Sequence, residues 1–203
     1  MATPRLPLLS VDEAGATAAG IDLDDRKGQS SLYRVLLHHP QLARRISDLI
    51  DTLMADADLD ARLRELVVMR IGWTSGCVYT WTQHWRIAQH VGVEQRDLLA
   101  VRDWENHDHW SGAERVALRA TDEILADRIV SPETWDQCAK AFPAPTQQLE
   151  LMTTISSWAM MSELLRSLAV PLEDGVAPWP PDGVTPTRFQ ETIATDMHDE
   201  EIR

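Results

Sequence analysis

Apolar and polar residues recur along most of this chain with the 3.6-residue spacing of helices, and no run alternates well enough to predict a strand. Leu32–His38 and Leu42–Met54 read as two helices parted at Pro40, because a residue before proline is pushed out of the α region. Asp60–Trp73, Gly76–Val91 and a helix near Glu94–Trp104 follow. Ser111–Asp127 carries Val116, Ala117, Ala120, Ile124 and Leu125 on one stripe. Ser131-Pro132-Glu133 pairs an N-cap with proline at the first helical position, opening a short helix to Phe142. Gln147–Ala169 is apolar around much of its circumference, which predicts the most buried helix. The chain is expected to be all-α.

The ends differ from this middle. Residues 1–30 mix proline, glycine and alanine without periodicity and read as an irregular arm. Residues 31–170 hold the helices. Residues 171–203 begin with Pro171, Pro178, Pro180, Pro181 and Pro186, an extended connector around Trp179. Thr185-Pro186 is expected to cap a last short helix reaching Met197.

The chemistry concentrates in one run, from Glu65 through Cys77 and Thr80 to His84. On a helix turning about 100° per residue, Cys77, Trp81 and His84 fall at i, i+4 and i+7, with Thr80 beside them. A thiol, a hydroxyl and an imidazole thus share a face, and a carboxylate twelve residues upstream lies on the preceding helix. These are the parts of a small cofactor-free active site. Thr74 or Ser75 suits the N-cap of the second helix, which would place Cys77 in a first turn whose dipole lowers a thiol pKa. Against this stands the ordinary fate of such residues, since a free cysteine and a histidine on an apolar face are often core.

Other residues frame the motif. Trp73, Trp81 and Trp85 flank it and would suit an aromatic or hydrophobic substrate. Arg70 is a candidate anchor for a substrate carboxylate. His107-Asp108-His109 lies in a polar loop without a matching ligand pair, so no metal site is expected. His38-His39 ends a helix, where a cation complements the dipole.

Composition narrows the classes. A formal net charge of −13 argues against a nucleic-acid partner. The first residues hold no apolar targeting stretch, and no run is long enough to span a membrane. Two cysteines make no disulfide framework, which fits a reducing cytoplasm.

The motif resembles that of the carboxymuconolactone decarboxylase and alkylhydroperoxidase D superfamily. There a glutamate precedes a Cys-x-x-Cys by twelve residues, and a histidine follows the second cysteine by four. Glu65, Cys77 and His84 match, as do the lead-in Arg64-Glu65-Leu66 and the exit Ile87-Ala88-x-x-Val91-Gly92. The likeness runs from about residue 32 to 125 and more weakly to 170.

Thr80 stands where the peroxidase branch has its second cysteine, and Tyr79 where that branch carries an extra histidine. Without the partner thiol, Cys77 lacks the disulfide of the peroxidase cycle, and Cys138 is sixty-one residues away. The resemblance therefore implies a cofactor-independent lyase or isomerase acting on a small carbonyl or carboxylate substrate through an enolate. His84 would move the proton, Glu65 would orient it, and Cys77 and Thr80 would donate hydrogen bonds to the enolate oxygen. The alternatives are a thiol peroxidase using Cys77 and a non-catalytic helical oligomer. The resemblance also implies a homo-oligomer, a trimer or hexamer.

Overall fold

The computed structural model describes residues 3–24 and 26–187 and contains, over these, nine α-helices and no strand. They are α1 (Val11–Ala19), α2 (Ser31–Leu36), α3 (Pro40–Ala55), α4 (Ala61–Ser75), α5 (Val78–His90), α6 (Gln95–Ala100), α7 (Gly112–Asp127), α8 (Pro132–Ala141) and α9 (Pro145–Ser167). The all-α expectation holds. The helix predicted to reach Met197 lies outside the described residues.

Local chemistry sets most helix ends. Ser111 and Glu114 form a capping box on α7, in which the Ser111 hydroxyl accepts from the Glu114 N–H and the Glu114 carboxylate accepts from the Ser111 N–H. Ser131 caps α8 with Pro132 at its first position, and Pro40 opens α3 behind a His39 cap. The helix expected near Glu94–Trp104 is α6 followed by a 3₁₀ stretch, Val101–Asn106, broken at Asp103 by an extended φ of −143°.

Two expectations need correcting. The first thirty residues are not irregular throughout. A Ser10–Glu13 capping box starts α1, whose fully buried Ala14 and Ala18 let it lie close to Gly28. Small side chains, rather than large apolar ones, make that contact, and so the hydrophobic pattern is faint.

The second correction concerns the break before the motif. Thr74 and Ser75 end α4 instead of capping α5, and the Ser75 hydroxyl donates back to the Ile71 carbonyl at 2.6 Å. Gly76 takes the left-handed C-cap conformation, with φ 65°, which glycine adopts without a Cβ penalty. Cys77 is then the N-cap of α5, not a first-turn residue.

The tight Gly76 turn folds α5 back along α4. They meet closely at Gly72, where a Cβ would lie 2.9 Å from the Trp81 backbone nitrogen. Helix α4 is the hub. Leu66, Val67, Val68, Met69 and Ile71 are fully buried, and α5, α7 and α9 all pack on it. Its flank toward α7 and α9 joins Val67, Val68 and Ile71 to Val116, Leu151, Ile155 and Trp158.

Residues 171–187 return across α5. Glu173 accepts from the Tyr79 hydroxyl at 2.7 Å, the Ser31 N–H at 2.9 Å and the Gln83 side-chain amide. The Trp81 indole donates to the Pro180 carbonyl at 2.8 Å, and Arg102 pairs with Asp182 at 2.8 Å. Trp179, 7% exposed, packs among Trp73, Trp81 and Trp85. No helix among the described residues is long and apolar enough to cross a membrane.

Candidate active site

Helix α4 carries Glu65 one residue beyond Arg64, and both side chains are buried, Glu65 completely. A carboxylate so placed loses its hydration and must find donors. It finds two. Arg64 Nε donates to Oε1 at 3.2 Å, and His84 Nδ1 lies 2.8 Å from Oε2. Burial alone would push the Glu65 carboxyl up, but the hydrogen bonds from His84 and Arg64 and the positive charge of Arg64 outweigh it and hold the group below the ordinary carboxylate range.

The far nitrogen of His84 faces α9. Trp158 Nε1 donates to His84 Nε2 at 2.9 Å, with the two rings nearly perpendicular at 80°. The imidazole is thereby bridged between α4 and α9 and is 9% exposed.

Cys77 belongs to a second pair. The Thr80 hydroxyl donates to its Sγ at 3.3 Å, and Thr80 Oγ1 is 2.9 Å from the Ser162 hydroxyl. With the Thr80 proton on sulfur, Ser162 is the donor to Thr80, giving a chain from Ser162 through Thr80 to Cys77. The expected lowering of the thiol pKa is not found. Burial pushes Cys77 up, since 1% exposure removes the hydration a thiolate needs, and the Thr80 and Ser162 hydrogen bonds only offset this in part.

The two pairs are stacked. Thr80 and His84 are one turn apart on α5, and their partners Ser162 and Trp158 are one turn apart on α9. Four residues of α-helix rise about 6 Å, the span of a small substrate.

The remaining predicted residues fall elsewhere. Arg70 is not free to anchor a substrate, because Asp122 takes its Nε at 2.7 Å and the Val101 and Arg102 carbonyls take Nη1. The Tyr79 hydroxyl serves Glu173, and burial followed by that carboxylate pushes the phenol up. Trp73 and Trp81 stack with each other at 5.3 Å and beneath the Arg102 guanidinium, at 4.7 and 5.0 Å. These rings build the seat of the C-terminal arm, and the aromatic wall at His84 is Trp158.

His109 pairs with Asp97 at 3.2 Å, and no group of three or more His, Cys, Asp or Glu among the described residues is placed to hold a metal. Cys138 is buried in the cluster of Val116 and Phe142, whereas Cys77 packs with Val35 and Val170.

Trp158 and Ser162 were not expected from the sequence. The available signal was polar residues inside the helix expected to be the most buried; α4 is in fact the more enclosed, since Leu149 and Met160 of α9 are exposed, but Thr154 and Ser162 are wholly enclosed. Two cavities open elsewhere. One of about 250 Å³ lies between α5 and the arm, lined by Thr82, Trp85, Arg86 and Val176. The other, about 410 Å³, lies between α7 and α8, lined by Val116, Gln137 and Lys140. Neither is lined by Glu65, Cys77 or His84.

Residues 40–123 match the model of the Carboxymuconolactone decarboxylase family, a stretch that includes Glu65, Cys77 and His84. The likeness to that family thus takes in the two motif helices, α4 and α5. No curated protein matches the sequence.

Among solved structures, an uncharacterized peroxidase-related protein with an alkylhydroperoxidase AhpD core, from Ralstonia eutropha JMP134, superposes with a TM-score of 0.69. It shares 16% identity over 88% of this chain and 100% of that one. A peroxidase-related protein from Silicibacter sp. TM1040 gives a TM-score of 0.66, with 9% identity over 87% of this chain and 92% of that one. A cysteine-to-alanine variant of the debrominase Bmp8, in complex with 2,3,4-tribromopyrrole, gives 0.64, with 17% identity over 86% and 94%. At these identities the likeness is one of fold.

The buried pair ties stability to pH. A carboxyl held below its unfolded value, about 4.3, contributes stability that is present above that value and lost as pH falls through the folded one. Glu13, Glu114, Glu123 and Asp182 are held down as well, so the Glu65 share is read by difference. Urea unfolding at pH 7 should show Glu65→Gln less stable by about 3–5 kcal/mol, the cost of leaving a buried charge unpaired. The gap should narrow below about pH 4. A gap unchanged from pH 7 to pH 3 would refute an ionised Glu65.

Proposed function

We propose that this chain is an acid–base enzyme, a lyase or isomerase that acts on a small carbonyl or carboxylate substrate through an enolate. The observation that carries the reading is the buried Glu65–His84 pair, 2.8 Å apart and backed by Arg64. A carboxylate on one imidazole nitrogen fixes the tautomer and supports positive charge when the other nitrogen takes a proton. One turn away, a neutral thiol at the end of the Ser162–Thr80 hydroxyl chain supplies a donor for a developing oxyanion.

Thiol peroxidase activity through Cys77 is the second reading, supported by the family likeness over residues 40–123 and by fold neighbours named as peroxidase-related. Three facts weigh against it: the thiol is pushed up by burial, threonine stands at 80, and Cys138 sits in a different cluster. The debrominase neighbour adds a planar aromatic ring to the substrates worth offering.

The test is proton NMR in D₂O with small keto acids, lactones and a halogenated pyrrole, reading C–H exchange and product. His84→Ala should lose at least about a hundredfold of any turnover, and Cys77→Ser only about ten- to a hundredfold, because a hydroxyl still donates. Both variants should keep the helical circular dichroism of the parent. Mass spectrometry after stoichiometric peroxide should find Cys77 reduced. Rapid, selective oxidation of Cys77, with no exchange in any substrate, would put the peroxidase first.

We also propose a homo-oligomer, a trimer or hexamer. Ile129 and Leu149, each more than two-thirds exposed, with Trp135 and Met160 leave apolar surface suited to a subunit contact. Light scattering at micromolar concentration should give three or six times the 22.9 kDa chain mass, and a monomer would refute this.

A further inference from the structure

Trp158 has no part in the superfamily motif, yet it holds the most consequential position in the site. An indole N–H only donates, so the His84 Nε2 it meets at 2.9 Å bears a lone pair. A proton there would set two donors against each other. The ring's proton therefore lies on Nδ1, facing the Glu65 carboxylate, whose other oxygen accepts from Arg64. The site's remaining side chains are Cys77 and Thr80 on α5 and Ser162 on α9. The resting arrangement is a neutral imidazole with its reactive nitrogen turned toward α9 and stoppered by Trp158.

We infer that Trp158 is a positioning residue: it sets His84 at rest as a base, and its indole must leave Nε2 before a substrate proton can be transferred there. The inference rests on the acid–base reading and gives that reading a direction. In the first step the C–H bond beside a carbonyl breaks. Its proton goes to Nε2, its electron pair moves onto the carbonyl oxygen as an enolate, and the imidazolium is held by Glu65. Nε2 then returns the proton to the same or a neighbouring carbon, which restores the lone pair and the Trp158 contact. A route that begins by expelling carbon dioxide and then needs a proton at once would start from a protonated Nε2, which this arrangement excludes. The substrate class is thus a carbonyl compound with an acidic C–H, undergoing isomerisation.

Trp158→Phe keeps a ring in place and removes the donor. In ¹⁵N-histidine-labelled protein at neutral pH, the wild-type His84 Nε2 should give the signal of an unprotonated, hydrogen-bonded nitrogen. In the variant that signal should move downfield while those of the other six histidines stay. Diethyl pyrocarbonate, which attacks unprotonated imidazole nitrogen, should modify His84 about fivefold faster in Trp158→Phe, the factor expected for one lost hydrogen bond. In Trp158→Ala it should react faster still, with exposed His107 as the internal control.

A protonated Nε2 in the wild type overturns the inference without any variant. So does an unmoved signal in Trp158→Phe, or wild-type His84 reacting as fast as His107. These results bear on Trp158 alone, whereas unchanged turnover in His84→Ala overturns the acid–base reading beneath it.

Discussion

A carboxylate with no exposed surface organises this molecule. Glu65 sits in the second turn of the hub helix, fully buried, where an ion without partners would cost several kcal/mol. The fold meets that demand from two directions, with Arg64 beside it and His84 from the next helix. The need to bring His84 within hydrogen-bond reach limits how α5 lies on α4. The left-handed turn at Gly76 and the missing side chain at Gly72 make the approach possible. His84 in turn needs a partner for its second nitrogen, and that requirement brings in Trp158 of α9.

The same burial shapes the chemistry. Enclosing Cys77 keeps its sulfur a thiol, which turns a possible nucleophile into a donor at the end of a hydroxyl chain. Threonine at position 80 belongs to this arrangement, for its hydroxyl reaches both Cys77 and Ser162. The tryptophans divide the labour. Trp158 addresses the imidazole, while Trp73, Trp81 and Trp85 receive Trp179 and hold the arm against α5. Glu173 pins the start of that arm to Tyr79 and Ser31, so residues beyond the motif stiffen the helix that carries it.

Where the sequence could be read, the signal was local. Pro40 and the Ser131-Pro132 pair mark their helix starts within one or two residues of where they fall. The twelve-residue step from Glu65 to Cys77 and the helical spacing on to His84 single out the residues of both bonded pairs. Thr74-Ser75-Gly76 misled because a hydroxyl followed by glycine fits a helix start as well as a helix end, and the left-handed φ of Gly76 decides for the end. Helix α1 was faint because alanines make its contact. Trp158 and Ser162 lie 74 and 82 residues from their partners, on a helix apolar nearly all round, where no spacing rule distinguishes a donor from packing. Arg70 looked available because Asp122, which occupies it, comes from a helix 52 residues on.

The central claim is a statement about two protons, and neutron diffraction from a deuterium-exchanged crystal near neutral pH locates them directly. The account expects deuterium on His84 Nδ1 facing Glu65, deuterium on the Trp158 indole nitrogen facing His84, and none on Nε2. Deuterium on Nε2, or a water separating Glu65 from His84, would contradict it.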